Sequence, residues 1–114
     1  MRLDIRSRNF VVTSELRQHI QRRFGRALDR FELQVVHVRV AIADVNGLKG
    51  GLDKVCRVTV IPARRDRIVI AEYGSNLFPM VDRVTDRVKR RISSALEKVR
   101  RFDSTRSIRT AESS

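Results

Sequence analysis

Arginine is the residue through which this sequence has most chemistry to offer. Of its 25 basic side chains 21 are Arg and four are Lys, against 13 acidic ones, for a formal net charge of +12. A guanidinium presents a planar fork of donors that matches two phosphate oxygens at once and stacks on bases, whereas an ammonium is a point charge on a flexible stem. Spacing concentrates these forks. At roughly 100° per residue, Arg83, Arg87, Arg90 and Arg101 fall within about 60° of one another beside an apolar stripe, and Arg91 is counted with them. The far side of that helix holds Asp82, Asp86, Ser93 and Glu97. A second set, Arg23, Arg26 and Arg30 with His19, shares one flank of an earlier apolar stripe.

Residues 83–101 carry eight cations and two anions, half of the whole excess, while residues 103–114 sum to zero. The charge therefore belongs to folded elements, and nucleic acid is the polyanion it fits. A membrane fits less well, because no long amphipathic segment with exposed bulky apolar residues lies outside the expected core. The ordinary alternative is a solvated face laced by helical pairs such as Asp86 with Arg90 and Glu97 with Arg101, each worth about 0.3 kcal/mol.

Catalytic sets do not assemble. Cys56 falls on an inward strand position with no His nearby in sequence to activate it, so it reads as a small hydrophobe. One Cys with His19 and His37 cannot supply a Cys/His zinc site, and His37 reads as outward polar filler. The loop Asn46-Gly47-Leu48-Lys49-Gly50-Gly51 lacks phosphate-loop spacing and lies between strands; it reads as a flexible hairpin whose Lys49, with Lys54, touches a partner backbone at most. The carboxylates are scattered as helix partners of Arg. These readings exclude a metal, a cofactor and a small-molecule substrate, and leave an enzyme built on Cys56 as a remote third choice.

These side chains must be positioned by one domain, since the chain has 114 residues and 13.2 kDa. Its longest apolar runs, Val40–Ala43 and Ile68–Ala71, are too short to cross a membrane, and Met1–Arg6 lacks the apolar region of a secretory signal, so the cytoplasm is the expected location. Alternation of Leu3 and Ile5 with charged residues predicts a strand over Arg2–Ser7. Thr13 caps a helix over Ser14–Arg30, with Leu16, Ile20, Phe24, Ala27, Leu28 and Phe31 on its apolar side and Gly25 packed close against the sheet. Gln34–Ala43 predicts a strand with Val36, Val38, Val40 and Ile42 inward. Strands over Lys54–Ile61 and Arg67–Tyr73 follow, the first with Cys56, Val58 and Val60 inward, the second with Ile68 and Ile70.

A long helix then starts near Ser75 or Asn76, accommodates Pro79 in its first turn, and runs to about Arg101 on the stripe Leu77, Val81, Val84, Val88, Ile92, Ala95, Val99 and Phe102. Residues 103–114 have no periodicity and are expected to be a disordered tail, leaving 1–102 as the single domain. The order β-α-β-β-β-α predicts a two-layer α+β fold, a four-stranded mixed sheet with two helices packed on one face. A right-handed crossover makes the first two strands parallel. The two helices then run side by side in the same direction. The basic flank of one lines the groove between them and that of the other faces an outer edge.

With that order laid out, residues 1–101 resemble the ribosome hibernation-promoting factors, also called ribosome-associated translation inhibitors or sigma-factor modulation proteins. The carriers are Arg8-Asn9-Phe10 followed by Val12-Thr13, Gly25-Arg26-Ala27-Leu28-Asp29-Arg30-Phe31, the Val-rich second strand, and Val81-Asp82-Arg83-Val84 with Asp86-Arg87-Val88. The resemblance is to a divergent short form: Ser93-Ser94-Ala95 stands where many members continue with Lys and Arg, and the Asn46–Asp53 loop is longer than the usual turn. It implies a non-enzymatic RNA-binding protein that docks in the decoding channel of the small ribosomal subunit, contacts its rRNA and inhibits translation under stress. By position, Arg83, Arg87 and Arg90 would be rRNA contacts. The alternative from another class is a protein-interaction module using the outward sheet face, with Val55, Ile61, Val69 and Tyr73.

Overall fold

A computed structural model describes residues 1–9, 11–45 and 53–113, with 97–113 described by backbone alone. Strand β1 (Arg2–Arg8) leads to helix α1 (Ser14–Leu28), then to strands β2 (Val35–Asp44), β3 (Lys54–Pro62) and β4 (Ile68–Gly74), and to helix α2 (Leu77–Ser113). The sheet order is β1-β2-β3-β4, with β1 parallel to β2 and the other pairs antiparallel. Both helices pack on one face, as the alternation of apolar residues requires: Leu16, Ile20, Phe24 and Leu28 from α1 and Val81, Val84, Val88 and Ile92 from α2 share a core with Val38, Val40, Ile42, Cys56, Val58 and Val60. Each such side chain contributes about 1.5–3 kcal/mol by leaving water.

Local chemistry sets the element ends. Thr13 is extended and its hydroxyl accepts from Leu16 N at 3.2 Å, closing an open donor of α1. Asn9 adopts φ 65°, a left-handed conformation that Asn tolerates, and its Nδ2 donates to the Asp44 carbonyl at 3.4 Å. Val45 N donates to Asp53 O at 2.8 Å across the base of the β2–β3 connection. The glycines and Lys49 of that connection lie outside the described residues.

Four expectations are corrected. Helix α1 ends at Leu28 instead of Arg30; a 3₁₀ turn over Asp29–Phe31 follows, whose three-residue period brings Phe31 in line with Leu28 and into the core. Val36 is 56% exposed and Val35 is buried in its place, because a register irregularity between Val35 and His37 shifts the alternation by one residue. Gly25 has nothing within 4 Å of where a Cβ would stand, so it is not a packing glycine. Helix α2 continues through residue 113, past the expected end at Arg101, in a segment without Gly or Pro to stop it. Met80 and Thr85 also join the buried set; the Thr85 hydroxyl donates to the Val81 carbonyl at 2.6 Å, which lets a polar side chain face the core.

Two glycines and the cysteine give contrasting expectations. Gly25→Ala should raise stability by about 0.5–1 kcal/mol, since it removes backbone entropy from the unfolded chain and meets open space. At Gly74 a Cβ would lie 2.9 Å from Met80 Cγ and Sδ, and Met80 is fully buried, so Gly74→Ala should cost about 1–3 kcal/mol. Urea midpoints at constant slope read both signs. Burial, with the nearby Glu72 charge, pushes the Cys56 thiol up to about 12. Iodoacetamide at about pH 8 should therefore spare Cys56 in the folded protein and label it after unfolding; rapid labelling of the native chain would show an accessible thiolate instead.

Candidate nucleic-acid interface

The two basic flanks have different fates. In the groove between the helices, His19 Nε2 lies 2.8 Å and Arg23 Nε 3.0 Å from Asp82 Oδ1, and Arg23 Nη2 lies 3.5 Å from Asp86 Oδ1. Further along, Arg30 Nη2 donates to Ser93 Oγ at 3.0 Å, and its guanidinium lies 4.7 Å from the centre of the Phe31 ring. The His19 ring also tilts against Phe78, with centroids 5.0 Å apart. Partners advance together along both chains, as parallel helices require. The flank expected on α1 thus meets the acidic side of α2, and Arg23 and Arg30 are engaged in holding the helices together. Arg26 belongs to the same row and is exposed.

Turning its acidic side to α1 leaves α2 with its arginine flank over the outer edge of β4. There Arg87 Nη1 donates to the Ala71 carbonyl at 2.9 Å and to Glu72 Oε1 at 3.2 Å, and Arg83 Nε lies 4.0 Å from Glu72 Oε2. One carboxylate therefore orients two guanidinium groups that remain half-exposed and neutralises only one of them. Arg90 and Arg91 are exposed beyond it, beside a shallow depression of about 350 Å³ that Val69, Ile70 and Ser94 also line. The side chain of Arg101 lies outside the described residues.

Arginines that the sequence reading passed over complete this edge. The β3–β4 turn brings Arg64, Arg65 and Arg67 to an open cleft of about 1000 Å³ whose other wall is Arg91, Ser94 and Ala95 of α2. Asp66 is the only acid among the described residues that line it. The signal was present as Arg64-Arg65-Asp66-Arg67, but a turn has no periodicity to align it with a helix thirty residues away. Such a cleft, open, polar and multiply basic, suits an extended phosphodiester backbone better than an enclosed small molecule. Among the described residues no group of three His, Cys, Asp or Glu side chains is placed to hold a metal ion, and no helix is long and apolar enough to cross a membrane.

Comparison with known proteins agrees with this architecture. The N-terminal domain of Thermus thermophilus Protein Y superposes with a TM-score of 0.65 at 17% identity, covering 81% of this chain and 96% of that one. A ribosomal subunit interface protein from Coxiella burnetii superposes with a TM-score of 0.72 at 13% identity, covering 85% of this chain and 99% of that one. At such identities these structures show the shared fold. No curated protein matches the chain in sequence. The family model described as sigma 54 modulation protein / S30EA ribosomal protein matches residues 3–100, nearly the whole of the folded unit, and the chain therefore belongs to that family.

Proposed function

We propose that this protein binds the small ribosomal subunit through its rRNA and holds translation off, as a hibernation or stress factor. The observation that carries the reading is the continuous basic edge formed by Arg83, Arg87, Arg90 and Arg91 of α2 with Arg64, Arg65 and Arg67 of the β3–β4 turn. Family membership supports ribosome association, and the edge supplies the chemistry for it. Among the described residues, these seven guanidinium groups meet Glu72 and Asp66, with Asp86 beside Arg90 on the side toward the helix groove, so positive charge is in excess along the edge. Such an excess on folded structure favours phosphate by Coulomb attraction and by forked hydrogen bonds, and it gains further from counterion release. Arg23 and Arg30 serve the helix pair first, so their part in RNA contact is secondary. Inhibition would follow from occupancy alone: a folded domain seated on rRNA that messenger or transfer RNA must contact excludes both without any chemical step.

Cosedimentation with purified small subunits at two or more salt concentrations tests this. Arg83→Gln, Arg87→Gln and Arg90→Gln together keep good helix formers at non-core positions, so the fold should survive. With about 0.7–0.9 counterions released per contact, the log–log salt slope should shrink by roughly two to three units. Arg17→Gln with Arg22→Gln, exposed on α1 away from this edge, should change it much less. A folded triple variant that binds subunits with the parent's affinity and slope would refute the edge as the ribosome-binding surface.

A further inference from the structure

The face of the sheet that the helices leave open carries its own arginines. Register and alternation place Arg2, Asp4, Arg6 and Arg8 of β1 on this face with His37, Arg39, Ala41 and Ala43 of β2, Val55, Arg57 and Thr59 of β3, and Val69, Ala71 and Tyr73 of β4. They form rows across the sheet: Arg8–Ala43–Val55–Tyr73, then Arg6–Ala41–Arg57–Ala71, then Asp4–Arg39–Thr59–Val69. Five arginines thus share a face with a single carboxylate, Asp4.

That carboxylate is already committed. Asp4 Oδ2 accepts a hydrogen bond from His37 Nε2 at 2.7 Å, and Arg2 Nε lies 3.8 Å from Oδ1. The His37 hydrogen bond, aided by the charges of Arg2 and Arg6, holds the Asp4 carboxyl below its ordinary value against the opposing effect of desolvation. Arg6 and Arg57 are exposed on either side of Ala41, with Cα atoms about 10 Å apart across two strand spacings. Arg39 lies diagonally between them, and its Nε is buried without a hydrogen-bond partner among the described residues. Like charges gathered across neighbouring strands destabilise a sheet. An unpaired buried guanidinium N–H adds to that penalty. The arrangement is the shape of a site built for an anion that the described residues do not themselves provide.

The rest of the face says which anion. Ala41, Ala43 and Ala71 keep the surface low between the arginines, and Tyr73, 54% exposed, closes the adjacent row beside Val55. Phosphates opposite arginines and bases on an aromatic face are the two requirements of single-stranded RNA bound without strong sequence preference. An acidic protein segment would use the arginines but would leave Tyr73 and the alanine trough without a planar group to receive.

We propose that the open sheet face is a second nucleic-acid surface, which grips a single RNA strand through Arg6, Arg39 and Arg57 and stacks a base on Tyr73. It lies on the side of the sheet opposite the helices, and it acts independently of the edge proposed to bind the small subunit. A protein of this kind bridges two RNA segments instead of covering one.

The chain has one Tyr and no Trp, so its intrinsic fluorescence reports on this face alone. Titration with a mixed-sequence RNA oligonucleotide of about twelve nucleotides should quench Tyr73, after correction for RNA absorbance, with an affinity that falls as salt rises. An A-form RNA duplex of the same composition should quench far less, because its bases are stacked on one another. Arg6→Gln/Arg39→Gln/Arg57→Gln should lower the salt slope of the quench by about two units, at about 0.7 per contact. Because Arg39 is half-buried, Arg6→Gln/Arg57→Gln, at two exposed positions, repeats the test with about two-thirds of the effect. Arg83→Gln/Arg87→Gln/Arg90→Gln should leave the quench intact while impairing cosedimentation with small subunits, so each surface can fail without the other. Oligonucleotide that binds by anisotropy without quenching Tyr73, or quenching unchanged in the sheet variants, would overturn the proposal. Polyglutamate competing as well as RNA would overturn it in favour of an acidic protein partner.

Discussion

The contact between the acidic side of α2 and the basic flank of α1 decides which flank of each helix is left for a partner. Asp82 receives both His19 and Arg23, Asp86 receives Arg23, and Ser93 receives Arg30. None of these pairs is deeply buried, and each alone is worth little in water. Their collective effect is directional. The apolar stripe of α2 fixes which side meets the sheet, but leaves two flanks that could face α1. With the carboxylates turned inward between the helices, the arginines at 83, 87, 90 and 91 have only the outer edge left. The opposite orientation would press α2's arginines against Arg23 and Arg30 and leave Asp82 and Asp86 at the surface, which like-charge repulsion disfavours. Helix pairing and the exposure of a basic edge are in this sense one electrostatic choice.

Glu72 makes the complementary choice on the other side. It occupies an inward position of β4 at the margin of the core and receives Arg87 at 3.2 Å and Arg83 at 4.0 Å. A carboxylate shared by two guanidinium groups leaves net positive charge and fixes its direction, so the forks are held near the sheet edge with their remaining donors outward. Pre-ordering matters here because each long side chain immobilised on binding costs about 0.5–1.5 kcal/mol. The nearby Cys56, by contrast, is pressed into the core where its thiol cannot ionise at neutral pH, consistent with a packing role.

Much of this was legible in the sequence because it rests on periodicity. The alternation of β3 names its inward residues correctly, as does the stripe of α2 at Val81, Val84, Val88 and Ile92, while Val99 and Phe102 lie outside the described side chains. The angular sorting of Asp82, Asp86 and Ser93 against Arg83, Arg87 and Arg90 anticipates one inner and one outer basic flank without saying which helix carries which. What escaped is where periodicity breaks or has no length to act over. The irregularity at Val35–His37 exchanges the places of Val35 and Val36, a change no alternating pattern can register. Arg64, Arg65 and Arg67 join α2 only through the hairpin that folds β4 back beneath Arg91. His37 reads alone as polar filler and acquires a partner only because the parallel pairing of β1 with β2 brings Asp4 beside it. Gly25 differs from expectation for another reason: a glycine within a helix is equally compatible with close packing and with none, and sequence cannot separate the two.

A net charge of +12 on 114 residues must be reconciled with a stable fold. The structure does this by separation. The buried set is almost wholly apolar, the two interhelix carboxylates and Glu72 neutralise the cations nearest the core, and the remaining arginines are spread over an edge, a turn and a sheet face where dissolved salt screens them within about 10 Å at 0.1 M. Screening lowers the repulsion but does not remove it, and a polyanion removes it wherever it settles. Binding and stability are then coupled by mass action, because a ligand that neutralises folded-state arginines in fixed register gains less from the expanded chain, where the same charges lie further apart. The arginine excess thus weakens the free protein and stabilises the bound one.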